Sequence, residues 1–193
     1  MRLYILNDHN PYRNLATEEY LFETSDDDVM ILWQNDPTVV IGKNQNAFAE
    51  INTDFTEKKG ILIARRISGG GAVYHDLGNV NYTFISTKSK NEIDFKTFTL
   101  PIIEALAHLG ISAELTGRND IEVCGKKISG NAQHVKENKV LHHGTLLFNS
   151  DLGVLSSALN VDEEKIKTKA IKSARSRVIN IIDLIEKKIS VPW

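Results

Sequence analysis

Cysteine is nearly absent from this chain of 193 residues, which contains only Cys124. A single cysteine excludes an intramolecular disulfide framework and is typical of a reducing compartment. The four prolines and twelve glycines form no linker or low-complexity segment, and no unit of about 20 to 50 residues repeats. The sequence therefore predicts a single domain spanning residues 1–193.

Neither sign of charge dominates, and long hydrophobic runs are lacking. Lysine and arginine number 23 against 25 aspartate and glutamate, so the net charge of -2 gives no reason to expect nucleic acid as a partner. The apolar start of the chain becomes polar after Leu6, too early for a signal-peptide core or a membrane span. We expect a cytoplasmic protein that binds neither nucleic acid nor a membrane. Its 41% hydrophobic residues are enough to form a core.

The first half of the chain predicts short strands and one helix. Apolar runs at 3–6, 61–64 and 80–85 predict strands. Asn14 is predicted to cap the amphipathic helix that follows it. The runs 29–33 and 38–41 flank the turn-forming Asn35-Asp36-Pro37, so these two strands are predicted to form a hairpin.

The second half predicts a longer helix and a further group of strands. Apolar residues recur at helical spacing from Phe95 to Leu109 and end at Gly110. Pro101 lies inside this pattern, so the regular helix either begins near it or kinks there. Runs at 113–115, 121–123, 127–129 and 141–148 predict strands, and a helical region begins after Asp151. Because the strands arrive mostly as adjacent hairpins, the predicted class is α+β, with mainly antiparallel sheets and flanking helices.

Three consecutive glycines, Gly69 to Gly71, follow two arginines at the end of a predicted strand. Glycines allow unusual dihedral angles and close approach of a ligand to the backbone. With a guanidinium from Arg66 and the Ser68 hydroxyl, backbone N–H groups of such a loop can hold a phosphate or a carboxylate. The alternative is a glycine-rich turn with solvated arginines.

Two further segments carry candidate polar groups. Lys127 lies beside Ile128 and a stretch of small residues, which suits a lysine that directs its ammonium group into a pocket. The alternative is an ordinary surface lysine. His142 and His143 are adjacent on a predicted strand and so point to opposite faces. They cannot be paired metal ligands, and no metal site is predicted; one of them faces a pocket or is simply half-buried.

The order of these segments and their residues together resemble the lipoate–protein ligase A family. The resemblance is carried by Arg66-x-Ser68-Gly69-Gly70-Gly71-Ala72-Val73-Tyr74-His75-Asp76, Gly117-Arg118-Asn119-Asp120, Lys127-Ile128-Ser129-Gly130 and His142-His143-Gly144-Thr145-Leu146. The stretches 14–19, 32–35 and 173–178 also match, so the resemblance covers about residues 14 to 181. Biotin–protein ligases share the fold of this family, its Asn-Asp pair and a similarly placed lysine.

The resemblance implies a two-step reaction. Lipoate is joined to the α-phosphate of ATP, and the lipoyl group then passes to a lysine of an acceptor protein, either an apo-lipoyl domain of a 2-oxoacid dehydrogenase complex or the glycine cleavage H protein. Mg²⁺ is implied as the ion that neutralises the triphosphate.

The resemblance also assigns residues to roles. The implied catalytic residues are Lys127 and Asp120. The implied nucleotide-binding residues are Arg66, Ser68, Gly71, Ala72, Val73, Tyr74, Asn119 and Lys127. The implied lipoate-binding residues are Trp33, Gly70, Gly71, Lys127 and His143, although Trp33 is also a candidate for the core.

Two features differ from the family pattern. Members usually continue into a smaller C-terminal accessory domain, which we expect to be absent here, so the chain is either truncated or assisted by a separate accessory domain. Relatives that transfer octanoyl or lipoyl groups without ATP use a cysteine nucleophile, whereas Cys124 is expected in a hairpin turn. An ATP-independent lipoyl or octanoyl transferase and a non-catalytic lipoate or adenylate binder are the alternative functions. The choice between lipoate and octanoate is left open.

Overall fold

The computed structural model describes residues 1–87, 93–160 and 177–185. Within these ranges the strands form two sheets. The larger sheet has the order β1 (Arg2–Ile5), β2 (Val29–Trp33), β6 (Asn79–Ser86), β10 (Lys139–Leu147), β9 (Lys126–Lys136), β8 (Asp120–Val123) and β7 (Glu114–Thr116). The smaller sheet has the order β4 (Leu62–Arg65), β3 (Thr38–Ile41) and β5 (Val73–His75).

Helices flank both sheets. They are α1 (Pro11–Thr24), α2 (Ala47–Glu50), α3 (Thr53–Lys59), α4 (Phe95–His108) and α5 (Leu152–Ala158), followed by a short 3₁₀ helix at Ile181–Leu184. Pairing is parallel between β1 and β2 and between β3 and β4, and antiparallel between the other paired strands named above. The predicted α+β class with mainly antiparallel sheets is confirmed. None of the helices in these ranges is long and apolar enough to span a membrane.

The predicted hairpin between residues 29–33 and 38–41 is wrong, because the two strands belong to different sheets. β2 lies between β1 and β6, whereas β3 lies between β4 and β5. The connecting residues do not make a tight turn at the surface. Asn35 is completely buried, and the Asp36 amide donates to the His9 carbonyl at 2.8 Å. These contacts carry the chain from one sheet to the other.

The predicted N-cap is also wrong, since Asn10 rather than Asn14 begins α1. The Asn10 side chain accepts hydrogen bonds from the amides of Tyr12 and Arg13, and Pro11 takes the first helical position, where its missing N–H costs nothing. Asn14 lies one turn further and is buried. Its Nδ2 atom donates at 2.8 Å to the carbonyls of both Asp8 and Gln34.

Helix α4 begins before Pro101 rather than at it. Asp94 caps the helix by accepting from the Thr97 amide at 3.1 Å, and Pro101 occupies its interior. Gly110, with a φ of 80°, follows the helix as predicted. Asp151 caps α5, which also confirms the helical start predicted there. Of the matching segment 173–178, residues 173–176 lie outside the described residues.

The centre of the larger sheet is covered on both faces. Five consecutive residues of β10, from Val140 to Gly144, are buried, whereas β2 alternates between buried and half-buried positions. Helix α4 packs through Ile102 and Leu106 against one face. Helix α1 packs through Phe22 against the other. The central strands can therefore hold polar side chains away from water.

Candidate active site

One row of residues crosses five strands of the larger sheet. Trp33 on β2 is opposite Asn81 on β6, and Asn81 is opposite Thr145 on β10. The Thr145 hydroxyl accepts from the Gly130 amide on β9 at 3.3 Å, and Gly130 is opposite Asp120 on β8. Since neighbouring strands lie about 4.8 Å apart, this row is about 19 Å long. All but Asp120 line a cleft with a volume of about 120 Å³.

The opposite wall of the cleft comes from the glycine loop and its neighbours. The lining residues there include Arg66, Gly70, Gly71, Ala72, Val73 and His75, with Leu15 from α1. The cleft thus brings together nine of the predicted site residues: Trp33, Arg66, Gly70, Gly71, Ala72, Val73, Asn119, Lys127 and His143. Ser68, Tyr74 and Asp120 lie behind or beside it. Trp33 lines the cleft and also packs in the core.

Lys127 and Asp120 form an ion pair at one end of the row. The Lys127 Nζ atom is 2.8 Å from Asp120 Oδ1, and the two side chains are 35% and 34% exposed. Gly130 leaves the space that the lysine occupies, because a Cβ atom there would lie 2.9 Å from Nζ. The Lys127 carbonyl accepts from the Ile179 amide at 3.1 Å, which fixes the backbone at this position. A half-exposed cation at the end of a cleft can meet an anionic group.

Arg66 shapes the glycine loop from within. Its Nη2 atom donates to the carbonyls of Gly69 and Gly71 at 2.8 and 2.7 Å, and Nη1 donates to Val40 at 3.1 Å. The Nε atom donates to the Ser68 hydroxyl at 3.1 Å. Burial lowers the pKa of the guanidinium to about 10, which leaves it charged at neutral pH. Most of the N–H groups of Arg66 are therefore hydrogen-bonded to the protein itself. The sequence alone did not reveal this structural role.

Ser68, His143 and Glu18 are linked in a buried chain. Ser68 Oγ is 2.6 Å from His143 Nε2, and His143 Nδ1 is 2.9 Å from Glu18 Oε1. Glu18 also accepts from the Thr83 hydroxyl at 2.5 Å. The order carboxylate, imidazole, hydroxyl resembles that of serine hydrolases. Ser68, however, is completely buried behind the cleft and accepts a hydrogen bond from Arg66. The hydrogen-bonded chain of Glu18, His143 and Ser68 therefore orients the His143 ring in the wall of the cleft.

Asn131 was not predicted as a site residue, yet it holds Asn119. The Asn131 backbone amide and Nδ2 both donate to the Asn119 carbonyl, at 2.9 and 3.0 Å, and Asn119 Nδ2 donates to the Asn131 carbonyl at 2.6 Å. On its other side, Asn131 Oδ1 accepts from the Tyr82 hydroxyl and lies 3.1 Å from His142 Nε2. Gln133 Nε2 faces His142 Nδ1 at 2.9 Å, which puts the imidazole proton on Nε2. The only feature of the sequence that could have pointed to Asn131 is its position directly after Ser129-Gly130.

His142 and His143 point to opposite faces, as predicted. His143 lines the cleft, whereas His142 stacks on Phe98 with ring centroids 5.2 Å apart. Tyr74 is buried in the core of the smaller sheet, and burial raises its pKa to about 12. Its side chain therefore packs in the core, and its hydroxyl stays protonated at neutral pH.

Two deeply buried histidines should make stability depend on pH. Burial lowers the pKa values of His75 and His142 to about 3, from an ordinary value of 6.5. Between pH 6.5 and 3 these two histidines bind protons in the unfolded chain but stay neutral in the folded chain. The free energy of unfolding therefore falls as the pH falls through this window. Each of the two groups can contribute up to about one proton to the difference between the unfolded and folded chains. Urea unfolding at several pH values measures it. His142→Gln should make the slope shallower, and an equal slope in that variant would contradict the assignment.

Cys124 lies at the turn between β8 and β9, as expected, with a φ of 51°. It is exposed and is not part of the cleft lining. Among the described residues, no three His, Cys, Asp or Glu side chains are placed to hold a metal ion together. The described part of the chain therefore offers no protein cage for Mg²⁺.

Comparison with known proteins identifies the family. A model described as the lipoyl protein ligase A/B catalytic domain matches residues 10–193. The lipoate-protein ligase LplJ of Bacillus subtilis (strain 168) is 49% identical over 187 residues, which is 95% of this chain and 56% of that protein. The chain thus spans about half the length of the curated relatives it matches.

Solved structures share the fold. A bi-partite lipoate protein ligase, from a study of the lipoylation system of Thermoplasma acidophilum that includes its E2 lipoyl domain, superimposes with a TM-score of 0.86 at 34% identity, over 97% of this chain and 77% of that chain. A lipoate-protein ligase A bound with ATP has a TM-score of 0.81 at 31% identity, over 97% and 78%. A biotin protein ligase from Aquifex aeolicus, with a TM-score of 0.51 at 14% identity over 98% and 62%, is similar in fold alone. The chain belongs to the lipoyl protein ligase A/B catalytic domain family.

Proposed function

We propose that this chain activates lipoate with ATP to form lipoyl-AMP and transfers the lipoyl group to a lysine of an apo-lipoyl domain. The observation that carries the proposal is the Lys127–Asp120 pair at one end of a narrow cleft that runs across the sheet to Trp33. A linear acid fits such a cleft with its carboxylate beside Lys127. The ligase bound with ATP, which shares this fold, supports the choice of nucleotide.

In the first step, a lipoate carboxylate oxygen attacks the α-phosphorus of ATP and pyrophosphate leaves. Negative charge builds on the phosphate oxygens, where a fixed ammonium group stabilises it. The ion pair with Asp120 positions the Lys127 ammonium group, and Gly130, which lacks a side chain, leaves room for it. Asn119, held by Asn131, is assigned to the adenylate, and the glycine loop from Gly71 onward is assigned to the nucleotide.

In the second step, the acceptor lysine attacks the lipoyl carbonyl and AMP leaves. Charge now builds on the carbonyl oxygen, and the same Lys127 ammonium can stabilise it. Asp120 accepts the proton of the incoming ammonium group or orients that group. The half-exposed position of Asp120 gives an acceptor protein access to it.

The metal ion, the compartment and the acceptor proteins that we propose follow from the substrates. Mg²⁺ would travel with the triphosphate, because the described residues form no carboxylate cluster for it. The cytoplasm supplies ATP and the acceptors, which are the lipoyl domains of 2-oxoacid dehydrogenase complexes and the glycine cleavage H protein. The E2 lipoyl domain named with the Thermoplasma acidophilum ligase supports this acceptor class.

A set of four reaction mixtures tests the proposal. The chain is incubated with lipoate, ATP, Mg²⁺ and an apo-lipoyl domain, and the acceptor is weighed by mass spectrometry. A parallel mixture supplies preformed lipoyl-AMP, and each is repeated with an added accessory domain. Lipoylation that requires ATP supports the ligase. Binding of lipoyl-AMP without modification of the acceptor in any mixture would instead indicate a non-catalytic binder.

Cys124→Ser distinguishes the ligase from a thioester transferase. Because Cys124 is exposed at a turn outside the cleft lining, its replacement is expected to leave the ligation rate within about twofold of the original. A transferase that forms an acyl-enzyme on this thiol would lose its activity completely. The rate of acceptor modification measures the difference, and an acyl adduct trapped on Cys124 would decide for the transferase.

A further inference from the structure

Strands β9 and β10 separate at the end of β9 that carries Lys127. Their pairing covers Asn131 to Lys136 of β9 and so ends before Lys127. On the other edge of β9, Lys127 is opposite Glu122 of β8, but the register of that pair shifts between Ile121 and Glu122. Such a shift locally disrupts the ladder of hydrogen bonds. Pairing with β8 and β10 therefore does not by itself fix the backbone of Lys127.

A segment from a later part of the chain lies in the fork between β9 and β10. We call it the bridging segment, residues 178–182. Val178 forms a parallel bridge with Lys127, and the Ile179 amide donates to the Lys127 carbonyl at 3.1 Å. The bridging segment thus takes the place of β10 as the neighbour of Lys127 on this edge of β9.

Asn180 anchors the bridging segment to the residues that follow β10. Its Oδ1 atom accepts from the Ser150 amide and its Nδ2 atom donates to the Ser150 carbonyl, both at 3.0 Å. One side chain therefore satisfies both backbone groups of a residue that is only 4% exposed. The Ile182 amide adds a bond to the Phe148 carbonyl at 3.0 Å. Since β10 is the middle strand of the larger sheet, the anchor joins the segment to its centre.

The core fixes how the bridging segment and Lys127 lie relative to each other. Ile181 and Ile128, which are 2% and 0% exposed, belong to the same hydrophobic cluster. Successive side chains of a strand point to opposite faces, so Ile128 in the core directs Lys127 towards the cleft, which it lines. The position of the bridging segment therefore determines where the Lys127 ammonium group lies beside Asp120.

We propose that Asn180 is a positioning residue for Lys127 and acts on it through the bridging segment. The proposal rests on the proposed function, since it takes the Lys127 ammonium group to stabilise the charge that develops in the reaction. A displacement of about 1 Å at a catalytic group can cost about a hundredfold in rate. Loss of the Asn180 anchor should therefore lower the rate of ligation in a protein that is still folded.

The first test is a double-mutant cycle. Asn180→Leu removes both hydrogen bonds at similar volume and should lower the kcat of ligation about tenfold when Lys127 is present. In the Lys127→Ala background the same change should alter the residual rate by less than about twofold, because the group that Asn180 positions is gone. A change that only reduces the folded fraction lowers both rates by the same factor. Equal losses in the two backgrounds would therefore overturn the proposal.

Two control variants accompany the cycle. Ser150→Ala removes a hydroxyl but keeps the backbone groups that Asn180 binds, so kcat should stay within about twofold. Asn14→Leu removes another buried asparagine, which bonds two carbonyls outside β9, one of them next to β2 and about 14 Å away across three strand spacings. Any loss of kcat in this variant should be the same with and without Lys127. If it also depended on Lys127, the coupling would not belong to the bridging segment and the proposal would fail.

A second perturbation decides the matter if thermal unfolding shows that Asn180→Leu does not fold. The α-hydroxy analogue of isoleucine is incorporated at position 179, which replaces the Ile179 amide with an ester. This change removes the hydrogen bond to the Lys127 carbonyl and leaves every side chain in place. It should lower kcat about threefold, again only when Lys127 is present. An unchanged kcat would contradict the proposal.

Lysine labelling tests the positioning without ligation. Lys126 and Lys127 compete for acetic anhydride, and fragmentation in a mass spectrometer distinguishes the two. A Lys127 side chain that leaves Asp120 becomes more exposed, so the ratio of Lys127 to Lys126 labelling should rise about threefold in Asn180→Leu. If the original chain does not ligate, the proposed function fails, while this ratio still decides the positioning. If the chain ligates and the folded variants keep the original rates and ratio, the positioning is wrong and the function stands.

Discussion

Replacing Lys127 with alanine is expected to lower the rate of lipoyl ligation by a hundredfold or more while the protein stays folded. The substitution removes the ammonium group that the proposed mechanism uses in both steps, and losing a single such group costs on the order of a hundredfold. The Lys127–Asp120 pair is about one-third exposed, so its loss should change the free energy of unfolding by less than about 1 kcal/mol. Single-turnover rates of lipoyl-AMP formation and of transfer, measured separately, show whether both steps fall together.

Lys126→Ala is the matched control for this prediction. Lys126 is the neighbouring residue on β9, is exposed and does not line the cleft. Its replacement removes the same charge and should leave both rates within about twofold. If Lys127→Ala keeps near-original turnover, Lys127 has been assigned the wrong role, and a different group must stabilise the developing charge.

Gly144→Ala is expected to cause a large loss of stability. An added Cβ atom would overlap Asn131 Oδ1 and the Tyr82 hydroxyl, two groups that are hydrogen-bonded to each other in the core. Both strands that carry them are buried and paired with β10, so the clash cannot relax outward. Overpacking and a broken buried network together should cost about 2–4 kcal/mol. Chemical denaturation measures the loss.

The same substitution should reach the site through Asn131. When Asn131 moves, Asn119 loses the residue that holds it, so ligation should fall more than the folded fraction does. Gly69→Ala is the control for stability, because a Cβ there would meet nothing within 4 Å and the backbone is not in the left-handed region. That variant should be no less stable than the original. A Gly144→Ala protein of unchanged stability would show that the network can repack.

Strand and helix positions could be predicted from the sequence, but strand partners could not. Residues 29–33 and 38–41 were correctly expected to be strands, because short apolar runs rich in β-branched residues report local burial. The hairpin between them was wrong because the turn residues Asn35 and Asp36 bond to distant parts of the chain instead of to each other. Local turn preference does not contain those contacts.

The candidate site was predicted as far as the resemblance named it. Lys127, Asn119 and the glycine loop meet in the cleft, whereas the contact by which Asn131 holds Asn119 went unnoticed. The sequence does not show whether an asparagine at the start of an apolar strand faces water or a cleft. The direction of its side chain depends on the register of β6 against β10, which only the folded sheet provides.

The row from Trp33 to Asp120 also has a consequence for how this protein is made. Its members come from five strands in the chain order β2, β6, β8, β9 and β10, and the middle position, Thr145, is synthesised last. Loops of many tens of residues must close before the row exists, and such closures slow folding. A nascent chain that has not yet released β10 from the ribosome therefore has two separated half-clefts. A ligand that binds in the cleft can protect the completed fold against unfolding, but it has no complete site to bind during most of translation.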